Sequence, residues 1–267
     1  MNIGFIGAGN MGGAILSGYA SIAAKSKDKI FVFDLNQEKC TGLEKKFSSV
    51  TSCDTIDRLV KKSDIIILGV KPNVFDKVLP SVAQAYRPSQ LVVSMAAGIS
   101  IKFLEGYLSE DSKVVRIMPN TPAKVGEAMV AVCRNKNVTE DDFEKPLQLF
   151  NAIGKAEEIE EELMHCVIGV SGSSPAYTYM YIEALISAAV ENGMSEEKAK
   201  VFAAQSVLGA AKMVMESDES PEQLRINVCS PGGTTIQAVE NLFEHKFEET
   251  VKSGFQAAVD KSKAMTK

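Results

Sequence analysis

Short, almost wholly apolar runs alternate with amphipathic stretches up to about residue 159, after which the pattern turns helical and stays so to the end. Residues 3–6, 29–34, 63–70, 91–95 and 113–118 read as strands. The run over 63–70 is apolar on both faces, as the interior of a parallel sheet requires. Residues 29–34 alternate around β-branched and aromatic side chains and stop before Asn36 and Gln37. Residues 127–132 and 155–159 read as edge strands, with an amphipathic helix over 140–153 between them. The composition shift places a domain boundary near residue 159.

Beyond it, Tyr177, Met180, Tyr181, Ala184, Leu185 and Ala188 recur at helical spacing and end at Asn192-Gly193. Ser195 is read as the cap of the next helix, with Glu196 and Glu197 in its first turn. That helix carries Ala203, Ala204, Gly209, Ala210 and Ala211, so a neighbour can approach it closely. Ser220-Pro221-Glu222-Gln223 reads as a capping box with proline at the first helical position. Phe247, Val251, Phe255 and Ala258 give a last apolar stripe. Helices so rich in small residues make a thin core, which the same helices of a second copy are expected to complete.

The candidate chemistry begins at the first strand. Ile6-Gly7-Ala8-Gly9-Asn10-Met11-Gly12 places Gly-x-Gly-x-x-Gly between a strand and a helix, the context a dinucleotide needs. Gly7 serves the tight turn, Gly9 the approach of a pyrophosphate, Gly12 the packing of helix on strand, and the helix start offers free N–H groups to phosphate. These features predict an α/β protein: a Rossmann-type doubly wound parallel sheet over residues 1–159 followed by an all-α C-terminal domain over residues 160–267. Asp34 falls where such folds place the carboxylate that accepts the adenosine ribose hydroxyls; alternatively it caps Asn36 and the following helix. In the first role it repels the extra phosphate of NADPH, by about 4 kcal/mol per charge pair at most, so NADH is favoured. Three further strands end in Lys71-Pro72, Ala96-Ala97-Gly98 and Pro119-Asn120-Thr121-Pro122. In a doubly wound sheet these ends share one edge and can line one crevice; Pro119 and Pro122 read equally well as plain connections.

Length and charge narrow the picture. The 267 residues suffice for two domains, and a net charge of −5 offers no basic footprint for nucleic acid or an anionic membrane. No apolar run approaches spanning length and the first residues lack a signal-peptide pattern, so a cytoplasmic location is expected. The five cysteines are scattered without Cys-x-x-Cys, and with two histidines they predict reduced thiols and no structural metal.

Two loops of the helical half, 171–175 and 230–235, combine hydroxyls with unhindered glycine amides, an arrangement suited to a small carboxylate or simply to a helix cap. No general base for alcohol oxidation stands out: His165 and His245 read as structural or solvated, and no lysine follows Gly172 until Lys198. A protonated imine needs neither, because it accepts hydride from a well-positioned donor.

In order along the chain, Gly7-Ala8-Gly9-Asn10-Met11, Val70-Lys71-Pro72, Ser94-Met95-Ala96-Ala97-Gly98, Met118-Pro119-Asn120-Thr121-Pro122, Ser171-Gly172-Ser173-Ser174-Pro175-Ala176-Tyr177 and Ser230-Pro231-Gly232-Gly233-Thr234-Thr235 closely resemble the motifs of pyrroline-5-carboxylate reductases. The resemblance runs nearly end to end, and its last motif is the most specific. It implies reduction of 1-pyrroline-5-carboxylate, a cyclic imino acid, to L-proline by NADH or NADPH, in homodimers that often build decamers. It further implies that Val70, Lys71, Pro72, Ala96 and Ala97 line the cofactor, largely through backbone. Ser230, Gly232, Gly233, Thr234 and Thr235 are then expected to hold the substrate carboxylate, with the Thr235 hydroxyl near the ring nitrogen and no strong acid or base. Two departures stand out. Asp34-Leu35 replaces the Asn-Arg with which many members grip the NADPH phosphate, and Ser174 replaces a usual glycine. The competing readings are a hydroxyacid dehydrogenase, which lacks its lysine here, and an NAD(H)-binding sensor or scaffold without turnover.

Overall fold

The computed structural model describes residues 1–266, with side chains except those of residues 22 and 24–26. Eight strands form one sheet: β1 (Asn2–Ile6), β2 (Lys29–Phe33), β3 (Val50–Ser52), β4 (Ile65–Leu68), β5 (Leu91–Ser94), β6 (Lys113–Met118), β7 (Ala128–Arg134) and β8 (Gly154–Glu158). Their order is β3-β2-β1-β4-β5-β6-β7-β8. The first six strands, all parallel, stand in the order of a dinucleotide-binding fold, in which the progression of strands across the sheet reverses between β1 and β4.

Alternation along each strand sends side chains to two cores. Ile3, Phe5, Val32, Ile67, Val93 and Val115 pack on one face with Ile15, Leu16 and Tyr19 of the helix Asn10–Ser26 and Phe143 and Phe150 of the helix Glu140–Asn151. Ile6, Phe31, Ile66, Leu68, Val92 and Val114 pack on the other with Leu59, Phe75, Leu79 and Leu104 of the helices Ile56–Lys62, Phe75–Ala85 and Ile101–Tyr107. Helices thus cover both faces. Burying each such side chain stabilises the fold by about 1.5–3 kcal/mol before entropy is counted.

Two features depart from expectation. Residues 128–134 do not form an edge: β7 lies between β6 and β8 and runs antiparallel to β6, while every other pairing is parallel. The cause is the short turn at 119–127, too brief for a crossover, with Gly126 left-handed at φ +81°. The edge strand β3 was not anticipated at all.

By internal contacts the chain divides into two compact units, Met1–Ser173 with Ala258–Lys267, and Ser174–Ala257. Residues 160–173 belong physically to the first because Met164 is fully buried in its core. The end of the long helix Phe247–Ala264 also returns to it: His165 Nδ1 lies 2.8 Å from the buried Ser262 hydroxyl, and the left-handed Gly98 abuts the Met265 carbonyl.

The second unit is helical, with Ser174–Glu191, Glu196–Glu216, Pro221–Val228, Thr234–Glu244 and the start of Phe247–Ala264. Ser220 accepts the Gln223 N–H, but the expected capping box is only half formed because the Gln223 side chain donates to Asn227 instead; Ser195 occupies the N-cap position without using its side chain as a cap. Among the described residues of this unit only Ala199 and Ala203 are buried. Met180, Phe202, Leu208 and Met215 are each more than half exposed.

Candidate active site

The turn after β1 is shaped by three glycines in mutual contact. Gly7 is left-handed at φ +104°, and a side chain on it would strike the backbone of Gly69. One on Gly12 would strike the Gly7 carbonyl. Gly9 differs, because a side chain there would meet nothing within 4 Å. The protein's own packing gives no reason for glycine at 9; a phosphate approaching the backbone does. The helix that follows starts at Asn10 with no side-chain cap and no carboxylate in its first turn, so its leading N–H groups are open to an anion.

Asp34, just past β2, closes this turn from the side. Its Oδ2 accepts the Ala8 N–H at 2.8 Å and its Oδ1 accepts the Asn36 N–H at 2.9 Å. Asn36 in turn caps the next helix by accepting the Glu38 N–H at 3.0 Å. The carboxylate is thus part of the glycine turn and, through Asn36, braces the cap of the next helix. The ends of β1, β2 and β4 are tied by Gly7 N–H to Phe33 O at 2.7 Å and Gly69 N–H to Ile6 O at 2.8 Å. Val70 and Lys71 follow β4, and Pro72 begins the short helical turn Pro72–Val74. Ala96 and Ala97 follow β5, which pairs with β4. All the expected cofactor residues thus gather at the C-terminal ends of four adjacent strands, where open α/β sheets bind ligands. Of these, Ile6, Ala8 and Ala96 are buried.

In the second unit, Ser230, Gly232, Gly233, Thr234 and Thr235 form one compact turn. Gly232 is left-handed at φ +72°, Gly233 N–H bonds Ser230 O at 3.0 Å, and the helix Thr234–Glu244 starts without a side-chain cap. Its first amides and the half-buried Thr235 are available to a carboxylate.

The 171–175 motif is different from what its composition suggests. Residues 168–172 form a π-helical turn in which Ser173 N–H bonds Ile168 O at 2.7 Å and the Ser171 hydroxyl bonds Val167 O at 3.2 Å. The Ser171 hydroxyl and the Ser173 N–H are thus committed to the chain, and the next helix begins at Ser174.

Other reactive groups are quiet. Burial pushes the Cys133 thiol up to about 12, and His245 Nδ1 lies 2.8 Å from Asn241 O. Among the described residues no group of three or more His, Cys, Asp or Glu could hold a metal ion, and no helix is long and apolar enough to cross a membrane. Asn120, which the sequence suggested only as part of a loop, emerges as a buried hydrogen-bonding hub.

Known proteins resemble this chain along its whole length. Residues 161–265 match the family model described as pyrroline-5-carboxylate reductase dimerisation, and residues 2–98 that described as NADP oxidoreductase, coenzyme F420-dependent. The chain is 42% identical over 265 residues to a pyrroline-5-carboxylate reductase of Escherichia coli, covering 99% of this chain and 98% of that protein. It is 38% identical to one from Methanosarcina acetivorans, with the same coverage. Among solved structures, the Plasmodium falciparum pyrroline carboxylate reductase with NADP bound superposes with a TM-score of 0.89 at 35% identity, covering 100% of this chain and 98% of that one. The Coxiella burnetii pyrroline-5-carboxylate reductase gives 0.90 at 31% identity, with equal coverage.

Proposed function

Because the chain belongs to the pyrroline-5-carboxylate reductase family, we infer that it reduces 1-pyrroline-5-carboxylate to L-proline with NAD(P)H, the last step of proline synthesis. The observation that carries this reading is the pair of uncapped helix starts, one behind Gly9 and one behind Gly233. The first suits a pyrophosphate and the second a carboxylate.

When bound, the reduced nicotinamide dinucleotide supplies the hydride, and the protein need not generate a nucleophile. Ile6 to Gly12, Asp34, Val70 to Pro72, Ala96 and Ala97 hold the dinucleotide. Ser230, Gly232, Gly233 and Thr234 hold the substrate carboxylate, and Thr235 places its hydroxyl at the ring nitrogen. With no acid or base among the substrate-holding residues Ser230 and Gly232 to Thr235, the rate comes from holding the C=N carbon close and oriented, an effect that can reach about 7–11 kcal/mol. Residues 1–159 serve the dinucleotide and residues 160–267 serve substrate and assembly.

NADH is the favoured cofactor. The Plasmodium falciparum relative carries NADP, but here the Asp34 carboxylate sits in the glycine turn and Glu38 follows in the first turn of the next helix. Both oppose a 2′-phosphate. The dimerisation match and the exposed apolar side chains of the second unit support a homo-oligomer. A dimer is its basic unit and a decamer its extended form. Five unpaired cysteines suit a reducing compartment such as the cytoplasm.

An NAD(H) sensor without turnover leaves the 230–235 turn without a purpose. The deciding experiment follows NADH absorbance on adding pyrroline-5-carboxylate: a fall with proline formed in equal amount is expected, and an unchanged signal with bound NADH would favour the sensor.

A further inference from the structure

The loop after β6 contains a residue that neither the cofactor turn nor the carboxylate turn uses. Asn120 is 8% exposed and both ends of its amide are committed. Oδ1 accepts the Met129 N–H of β7 at 2.9 Å, and Nδ2 donates to the Ser171 carbonyl at 3.1 Å. The second bond has a cause in the sequence. In a continuing helix the Ser171 carbonyl would accept from the residue four places on, which is Pro175, and proline has no N–H to give. Ser171 is itself 8% exposed, so a carbonyl left alone there would carry the full cost of lost solvation. Asn120 supplies the missing donor across 51 residues of sequence.

The turn it holds lies beside the expected nicotinamide loop. Ile168 and Ser173, from the π-helical turn and its end, line a cavity of about 180 Å³ together with Ala97 and Gly98. Such turns recur at functional sites because they place backbone groups where an α-helix cannot.

We infer that Asn120 is a positioning residue for the reaction: by joining the Ser171 carbonyl to β7, it fixes the 168–173 turn beside the Ala97–Gly98 loop and so sets the shape of the cavity next to the nicotinamide. The kinetic part of this inference rests on the proposed imine reduction; the structural part does not. The bond is directional. Asn120→Asp keeps an acceptor for Met129 but turns an oxygen toward the Ser171 carbonyl.

The test compares the intact protein with Asn120→Asp by amide hydrogen exchange, NADH titration and single-turnover reduction of pyrroline-5-carboxylate. Exchange over residues 168–173 should quicken about tenfold or more, as loss of one buried hydrogen bond implies, while Met129 keeps its protection. Hydride transfer should slow by a similar factor with NADH affinity within about threefold, since the dinucleotide's phosphate turn is untouched. Unchanged exchange would overturn the contact. Unchanged transfer, or NADH affinity lost in step with rate, would overturn the positioning role. A wild-type protein inactive toward the imine would remove the kinetic role and the proposed function together, while the exchange result still judges the contact. If Asn120→Asp does not fold, Asn120→Ser, which removes the amide without adding charge, takes the same measurements.

Discussion

Replacing Asp34 by asparagine separates the charge of this side chain from its shape. The carboxylate accepts two backbone N–H groups, from Ala8 at 2.8 Å and Asn36 at 2.9 Å. The amide has one oxygen, so one of these N–H groups will face an NH₂ instead, at a cost of about 1–3 kcal/mol. That loss falls equally on NADH and NADPH and cancels in their ratio. The charge does not cancel. Two unit charges about 4 Å apart at an effective dielectric of about 20 repel by about 4 kcal/mol, and at twice that distance by about 2 kcal/mol. Even the weaker figure is more than tenfold in relative affinity. Asp34→Asn should therefore lower kcat/KM for NADH and move the NADH to NADPH ratio of kcat/KM toward NADPH by at least about tenfold. Initial rates with each cofactor at saturating pyrroline-5-carboxylate measure it. A wild-type preference for NADPH, or a ratio that shifts less than about twofold in the variant, would refute the reasoning.

Two further outcomes are expected. Thr235→Ala should reduce the rate of imine reduction by about 10²-fold, the scale of a lost oriented donor, while NADH affinity by fluorescence titration stays nearly intact; equal loss of both would contradict the assigned role. His165 is held below the ordinary imidazole value by burial and by the nearby charges of Arg116 and Lys263, against an opposing pull from Glu161. The unfolded chain therefore binds a proton first as pH falls. This contribution to stability is complete above pH 6.5 and is lost on going down through the folded-state value. Denaturation midpoints measured between pH 7.5 and about 5 should show a loss that His165→Gln removes; identical slopes in both proteins would rule it out.

What the sequence displayed and what it hid divide along physical lines. The strands 65–68, 91–94 and 113–118 were legible because both of their faces are buried, which leaves largely apolar runs, broken in the last by the buried Arg116. The glycine turn was legible because its backbone angles and close contacts are local. The strand Val50–Ser52 was not, since its middle residue is exposed and only Val50 is buried, too little for a period to show. The direction of β7 is set by the turn before it and by pairing with Met118, Ile117 and Arg116, which no local pattern encodes. The 171–175 motif read equally as an anion loop or a helix start, because its serines and glycine suit both; the π-helical turn that takes up the Ser171 hydroxyl and the Ser173 N–H has no local pattern. Long-range closures were invisible for the same reason: His165 meets Ser262 across 97 residues, and Asn120 meets Ser171 across 51.

The central claim is that hydride passes to a C=N carbon held in place by a carboxylate-binding turn, with no acid or base required. A crystal structure with the oxidised dinucleotide and proline tests it most directly. The account predicts the proline carboxylate on the amides of residues 232–235, the ring nitrogen at the Thr235 hydroxyl, and the ring carbon beside the nicotinamide. Proline bound away from the nicotinamide, or a 230–235 turn that makes no contact with it, would contradict the account.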